Sequence, residues 1–419
     1  MPSNSGKKFV GWLVCLLLIV GLVFPYLTGS PLSYVVIVLS VILSIVGLWW
    51  GENARSDPGA LMLLAALCLL AIVFAMTNRR GTTDVLSAGN FFIFALFGPL
   101  TVALRQFSRL RNMVLVASLA LGGAAVALLV AIVQEFVLHM DRPEGWGSNP
   151  TQSSTTALLL GFVSLAGYSQ VSSWRRNLFL LGPILGAGTV FVSGSRGPFV
   201  ALPALVIVAV LLARVRPAAL MASAILLIGG TTGFFMIRPE VLQRFLVLQD
   251  AAVQIGTGRQ VDADISTGTR YQILEGSMLA FEKSPWIGYG WLAKTTVVTH
   301  FSGVGFDDET HSHLHSDVLN FGVSGGVVGL IAYLLAVFAP LVSAWRSTPD
   351  RQFVSRRYAG TVLSVGYLFC GLVNMLFGFE YLTTFFVSVA AILIGYCRDR
   401  PADKNEPDSI SFGPVAGKL

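Results

Sequence analysis

Charged residues are scarce in this chain. They make up 12% of its 419 residues, whereas soluble globular domains carry roughly 25%. Hydrophobic residues make up 54%, and the mean hydropathy is +0.72. The shortage of charge excludes a soluble globular domain and indicates a protein that crosses a membrane several times.

Cysteine and histidine are also scarce, with four and five copies. The cysteines (Cys15, Cys68, Cys370 and Cys397) lie in or at the ends of apolar runs and show no ligand spacing. This pattern argues against a disulfide framework or a cysteine metal site. The formal net charge of +6 is distributed as membrane topology requires, so no nucleic-acid partner is predicted.

Twelve apolar runs qualify as membrane spans, since a helix needs roughly 20 apolar residues to cross the hydrocarbon of a bilayer. They should be helices because an unpaired backbone group in lipid costs several kcal/mol. The predicted fold class is therefore an all-α polytopic membrane protein with about 12 transmembrane helices. The runs cover residues 9–26, 32–50, 60–76, 86–104, 113–138, 155–171, 178–192, 199–213, 218–237, 318–345, 358–377 and 381–396.

Basic residues set the predicted orientation. With the N-terminus inside, most of the 28 Lys and Arg residues fall in inner segments, as the positive-inside rule requires. The chain then divides into nine transmembrane helices in 1–237, a large outer loop in 238–316, three transmembrane helices in 317–397 and an inner tail in 398–419. The outer loop is expected to be mostly helical, because a structureless loop of this length is unusual.

A few arginines lie on the outer side against this rule. Arg79, Arg80 and Arg142 fall in short outer connections, where an anionic ligand at the outer leaflet would explain them. The alternative is pairing with lipid headgroups or with neighbouring carboxylates such as Asp84 and Glu144.

Arg196 lies in a tight connection between two apolar runs. Gly194 and Gly197 keep the backbone open there, and Pro198 starts the next helix. An arginine so close to the hydrocarbon boundary is a candidate functional residue. The competing interpretation is that its side chain extends to the lipid headgroups.

The outer loop is predicted to contain two helices, 242–255 and 271–283, that pack as a lid. Arg270 comes at the start of the second helix, where free backbone N–H groups and a guanidinium together suit a diphosphate. The alternative is a surface pair with Glu275 or Asp264.

Histidines alternate at positions 311, 313 and 315, just before the run at 318–345. In an extended segment all three would share one side. Three histidines suggest zinc, but no further ligand pattern accompanies them, and no metal or other cofactor is predicted. A neutral imidazole instead suits a general base.

These segments resemble a known family. His315-Ser316, nine residues and Gly326-Val-Val-Gly329 resemble the His-[Asn/Ser/Gln]-x9-Gly-x-x-Gly signature of the O-antigen ligases. The other matching segments are Arg270-Tyr-Gln-Ile-Leu274, Ser193-Gly-Ser-Arg196-Gly and Pro285-Trp-Ile-Gly-Tyr-Gly290. Their order around one outer loop is that of the O-antigen ligase/polymerase superfamily. Gly326 and Gly329 are interpreted as small residues for close helix packing.

The resemblance implies a metal-independent, inverting glycosyltransferase similar to the membrane-embedded GT-C class. It would transfer a polysaccharide from undecaprenyl diphosphate to the lipid A–core acceptor. The protein would work as a monomer among the lipids of a bacterial inner membrane, with the outer loop facing the periplasm.

The resemblance also implies roles for residues. Arg196 and Arg270 would stabilise the departing diphosphate, and His315 would be the catalytic base. His313 is the alternative base or a substrate-binding residue. The remaining substrate-binding candidates, for phosphates of the acceptor lipid, are Arg79, Arg80 and Arg142.

Three other functions stay open. An O-antigen polymerase joins two lipid-linked repeats, and a protein O-oligosaccharyltransferase transfers to a protein side chain but usually has a soluble C-terminal domain, for which the segment after Cys397 is short. A solute or bicarbonate transporter belongs to a different class and should carry ionisable residues at mid-span. Here Glu135 and Glu380 lie near the ends of runs.

Overall fold

The computed structural model of the chain describes residues 4–26, 30–50, 57–77, 86–145, 149–237, 239, 265–303 and 313–398. All regular secondary structure in these ranges is helical. The first seven α-helices are α1 (Asn4–Leu22), α2 (Ser30–Trp49), α3 (Pro58–Met76), α4 (Ile93–Arg105), α5 (Asn112–Phe136), α6 (Pro150–Ser164) and α7 (Leu181–Val192). The next seven are α8 (Ala201–Leu212), α9 (Pro217–Ile237), α10 (Ile265–Lys283), α11 (Lys294–Ser302), α12 (Asp317–Arg346), α13 (Phe353–Gly371) and α14 (Glu380–Ala391).

Each of the twelve apolar runs coincides with a helix. Several are completed by a short 3₁₀ or π segment, namely Ser87–Phe91, Leu165–Gln170, Trp174–Leu180, Gly197–Val200 and Ile392–Tyr396. Within the described ranges, four helices are long and apolar enough to cross a membrane. They cover Pro58–Met76, Ser87–Arg105, Asn112–Phe136 and Asp317–Arg346. The predicted class, an α-helical polytopic membrane protein, is thereby confirmed.

Helix α12 is central to the packing. It contacts α3 and α13 along their lengths, while α4 packs on α2 and α14. The α3–α12 contact begins at a helix cap, where Asp57 Oδ1 accepts hydrogen bonds from the backbone N–H of Gly59 (2.9 Å) and from the Ser343 hydroxyl (2.5 Å). One carboxylate therefore caps α3 and ties it to α12.

Arg356 joins α12, α13 and α14 at one end of the bundle. Its side chain is fully buried and pairs with Asp350 at 3.0 Å. It also donates to the Ser347 hydroxyl and to the carbonyl of Cys397. A buried guanidinium is tolerated only when its donors are satisfied, and this one fixes the far ends of all three helices. Their opposite ends carry the residues of interest.

Helix α12 is interrupted at Gly326, where φ is 58° and ψ is −148°. The segment 285–290, which follows α10, supplies the hydrogen bonds that the helix loses there. The carbonyls of Val323 and Ser324 accept from the N–H of Tyr289 and Gly290, both at 2.9 Å.

In return, the N–H of Val327 donates to Pro285 at 2.7 Å, and the N–H of Val328 donates to Trp286 at 3.3 Å. The helix break and the neighbouring segment thus satisfy each other's backbone groups. This arrangement fixes the position of the 285–290 segment relative to α12.

Gly326 and Gly329 have different roles in α12. A Cβ on Gly326 would lie 2.6 Å from Pro285 O and from Ile287 N, so the nearest atoms belong to the backbone of the inserted segment. Beside Gly329 the nearest atoms are those of Phe321 in the same helix. The interpretation as close helix packing is therefore correct for Gly329, where the helical segments on either side of the break meet, and wrong for Gly326, which accommodates the break itself.

Candidate functional site

The connection that carries Arg196 is a tight turn, as predicted. Helix α7 ends at Val192, Gly194 adopts a positive φ of 59°, and a 3₁₀ helix begins at Gly197. The rings of Phe191 and Phe199 pack edge to face across the turn, with centroids 4.5 Å apart. Arg196 is half-buried at the start of the 3₁₀ helix. The residues 193–197 are called the arginine turn below.

The arginine turn packs against the N-terminus of α6. A Cβ on Gly197 would lie 3.1 Å from Thr151 Cγ2 and 3.6 Å from Val373 Cγ2. Asn149 caps α6 by accepting the Thr151 N–H at 2.9 Å. Because the N-terminus of a helix carries a partial positive charge, α6 adds to the positive potential around Arg196. The arrangement favours an anion.

The histidines at 313 and 315 lie on one side of the chain, in the segment 313–316 that precedes α12. Leu314 points the other way and belongs to a buried cluster with Ile273, Val298 and Val323. The two imidazole centroids are 4.5 Å apart, and both rings are half-buried. This segment is called the histidine segment.

The loop 372–379 between α13 and α14 borders both features. At one end, Val373 is the residue beside Gly197 of the arginine turn. At the other end, the Phe379 ring packs edge to face on His313, with centroids 5.2 Å apart. The loop therefore lies between the arginine turn and the histidine segment. Nothing in the local sequence pattern indicated this role.

Asp317 is a further residue of the site that the sequence analysis did not single out. Its side chain is fully buried. Its Oδ1 accepts from the backbone N–H of Leu376 at 2.9 Å and of Phe377 at 3.2 Å. Only its position in the sequence could have indicated a role, because this carboxylate is on the first residue of a helix and two residues after His315. An acidic residue there is ordinarily explained by the helix dipole.

Arg270 does not start a helix. Helix α10 begins at Ile265, so Arg270 lies in its second turn, with an exposed side chain. The predicted start of this helix at residue 271 is wrong, because a single internal glycine such as Gly268 costs only about 1 kcal/mol and does not stop a helix. Arg270 precedes Ile273 by one turn, and Ile273 shares a buried cluster with Leu314. It is thus one helical turn from residues that support the histidine segment.

The structure describes only one of the three remaining predicted arginines. Arg142 is exposed in the connection after α5. Arg79 and Arg80 lie outside the described residues, as do His311 and the predicted helix 242–255. Helix α10 ends at Lys283, where the sequence predicted a break, whereas α11 was not predicted.

Lys294 is a buried lysine at the start of α11. Its Nζ donates to the Trp291 carbonyl at 2.9 Å and lies 4.1 Å from the centroid of the Trp291 ring. That ring packs in turn on Phe91, with centroids 5.1 Å apart. Burial in these aromatic surroundings lowers the pKa of Lys294 from 10.5 to about 7.

Replacement of Lys294 by methionine should remove a pH dependence of stability. Between pH 7 and 10.5 the unfolded chain binds one proton more than the folded chain at this lysine. Wild-type stability should therefore rise with pH across that window, by at most about 1.4 kcal/mol per pH unit. Below pH 7 the cost of burying the ammonium is fully present, so Lys294→Met should raise the apparent unfolding temperature there.

The measurement is thermal unfolding of detergent-purified protein from pH 6 to pH 10. The exposed Lys283 provides the control variant Lys283→Met, which should follow the wild-type profile. A Lys294→Met profile as steep as that of the wild type would contradict the prediction.

A comparison with protein families identifies the region that holds most of these features. Residues 181–334 match the family described as O-Antigen ligase. This region contains the arginine turn, α10 with Arg270 and the histidine segment. No curated protein matches the chain. The family implies lipid-linked polysaccharide substrates and a membrane enzyme of the ligase or polymerase type. The resemblance found in the sequence is confirmed, because residues 181–334 of this polytopic membrane protein match the O-antigen ligase family.

Proposed function

We propose that this protein is an O-antigen ligase. It transfers a polysaccharide from undecaprenyl diphosphate to a sugar hydroxyl of lipid A–core at the periplasmic face of a bacterial inner membrane. The observation that carries the proposal is that the arginine turn and the histidine segment border the same loop, 372–379. A cationic group and a potential base therefore lie near the same loop. Both belong to the region that matches the family, and the loop lies outside it.

The proposed reaction uses these groups directly. The acceptor oxygen attacks the anomeric carbon of the donor, the bond from that carbon to the diphosphate oxygen breaks, and the configuration inverts. His315 accepts the hydroxyl proton, with His313 as the neighbouring alternative. The charge that develops on the departing diphosphate is stabilised by Arg196 and the N-terminus of α6. Arg270 is the second proposed cation. No metal takes part in this scheme.

The proposed topology follows the distribution of basic residues. Twelve spans, with the N-terminus and the tail 398–419 in the cytoplasm, place the loop 238–316 in the periplasm. Helices at all twelve apolar runs support it. In this topology Arg79, Arg80 and Arg142 face the outer leaflet, where they would hold the phosphates of the acceptor lipid. The proposed active form is a monomer.

The test is transfer in a purified system. Lipid-linked polysaccharide and lipid A–core are mixed with the detergent-purified protein in the presence of EDTA. A ladder of modified lipid A–core supports the ligase. Elongated donor without modified lipid A–core would instead show a polymerase, and transfer to an added protein would show an oligosaccharyltransferase. If the folded protein forms none of these products, the result would favour the alternative that the protein is a transporter.

A further inference from the structure

We propose that Asp317 is a positioning residue that holds the loop 372–379 in place between the arginine turn and the histidine segment. The catalytic consequence of this role rests on the proposed function, whereas the structural role does not. Asp317 itself does not need to touch a substrate. It acts through the backbone of the loop.

Helix α12 has an N-cap that does not involve Asp317. Ser316 is the N-cap residue, and its hydroxyl accepts from the N–H of Leu319. Asp317 is therefore not needed as the cap. Its carboxylate turns away from its own helix and accepts two N–H groups that are 59 and 60 residues later in the chain, those of Leu376 and Phe377.

The two amides that donate to Asp317 lie in the middle of the loop. Leu376 and Phe377 fall between Val373, which borders the arginine turn, and Phe379, which packs on His313. Asp317 is also only two residues after His315. One side chain thus connects the histidine segment to the middle of the loop. The next residue back, Ser316, adds a hydrogen bond from its hydroxyl to the Gly371 carbonyl at 3.3 Å.

The second carboxylate oxygen of Asp317, Oδ2, lies on the side of Gly371 and Tyr333. A Cβ on Gly371 would lie 2.8 Å from Asp317 Oδ2 and 2.7 Å from the Tyr333 hydroxyl. Both of these oxygens are buried, and neither has a hydrogen-bond partner among the described residues. The carboxylate is thus confined between the loop and the end of α13, where a residue larger than glycine would displace it. Confinement leaves Asp317 little freedom to release the two amides.

The role predicts the effect of two substitutions. Asp317→Ala leaves the two loop amides without their acceptor, so the loop should separate from the histidine segment. Asp317→Asn keeps an acceptor oxygen in the same position and should restore most of what alanine loses. Tyr333→Phe removes the other confined oxygen without touching the loop amides and is the matched control.

Crosslinking tests the structural role independently of any enzymatic activity. Cysteines are introduced at His313 and Phe379 in the full-length protein, and the yield with a short bis-maleimide is measured. Variants with only one of the two introduced cysteines are the controls for crosslinking to the four native cysteines. Asp317→Ala should lower the yield several-fold, while Asp317→Asn and Tyr333→Phe should stay near the parent. Asp317→Ser, whose side chain is too short to reach both amides, gives the same test if the alanine variant folds poorly. An unchanged yield in the alanine or the serine variant would overturn the proposal.

Kinetics in the otherwise native protein test the consequence for transfer. Asp317→Ala should lower kcat at least tenfold and leave the KM for the lipid-linked donor within about threefold, with recovery in Asp317→Asn. An equal loss in Asp317→Ala and Tyr333→Phe would overturn the positioning role. If the wild type transfers nothing, the proposed function fails, while the crosslinking yields still decide the role of Asp317.

Discussion

Replacement of His315 by alanine is expected to lower the rate of polysaccharide transfer by about 10²–10⁴-fold, the range that a general base contributes. In the proposed reaction the acceptor hydroxyl is a weak acid, so its attack on the anomeric carbon requires a group that takes its proton. An imidazole has a suitable ordinary pKa for this task. The measurement is the initial rate of lipid A–core modification at saturating donor.

The backbone conformation of His315 makes a second variant necessary, because alanine could lower activity through the backbone alone. His315 has a φ of 52°, a conformation that alanine adopts less readily than asparagine does. His315→Asn therefore removes the base while tolerating the same backbone, and it should lose as much activity as His315→Ala. His313→Ala is the neighbouring control and should lose much less. A large loss in His313→Ala together with an active His315→Asn would reverse the two assignments.

Replacement of Gly326 by alanine is expected to lower the stability of the protein far more than the same replacement of the neighbouring Gly325. The φ and ψ at Gly326 lie in a region that is essentially restricted to glycine, and strain there costs about 1–3 kcal/mol. The new Cβ would also lie 2.6 Å from Pro285 O and Ile287 N. Separation of the segment to relieve this overlap would break hydrogen bonds worth about 1 kcal/mol each.

Gly325 offers the matched control for this prediction. A Cβ on Gly325 would lie 3.5 Å from Val73 Cγ1, an ordinary contact, and its φ is not positive. Gly325→Ala should therefore unfold close to the wild-type temperature, while Gly326→Ala should unfold much lower or purify as aggregate. Scanning fluorimetry and size-exclusion chromatography of both variants check this. Equal stability of the two variants would contradict the described break in α12.

Local sequence patterns predicted the parts of the fold that depend on local chemistry. Apolar runs predicted the helices because lipid leaves the backbone no other way to satisfy its hydrogen bonds. Glycine, serine and proline around Arg196 predicted the tight turn. The predicted start of α10 was wrong because a helix tolerates one internal glycine, here Gly268.

The remaining features depend on contacts between distant parts of the chain. The two hydrogen bonds of Asp317 join residues 59 and 60 positions apart. The break in α12 is visible only when the segment 285–290 is known to lie beside it. No local pattern encodes either contact. The proximity of the loop 372–379 to the candidate residues is therefore information that came from the structure.

The backbone exchange between α12 and the segment 285–290 also limits how a substrate can enter. Raising this segment would leave the N–H groups of Val327 and Val328 and the carbonyls of Val323 and Ser324 unpaired, at about 1–3 kcal/mol for each group that stays out of water. The segment 285–290 should therefore stay in place when a substrate binds. A bulky lipid-linked sugar would then reach the site by a route that does not move this segment, such as a lateral opening toward the bilayer.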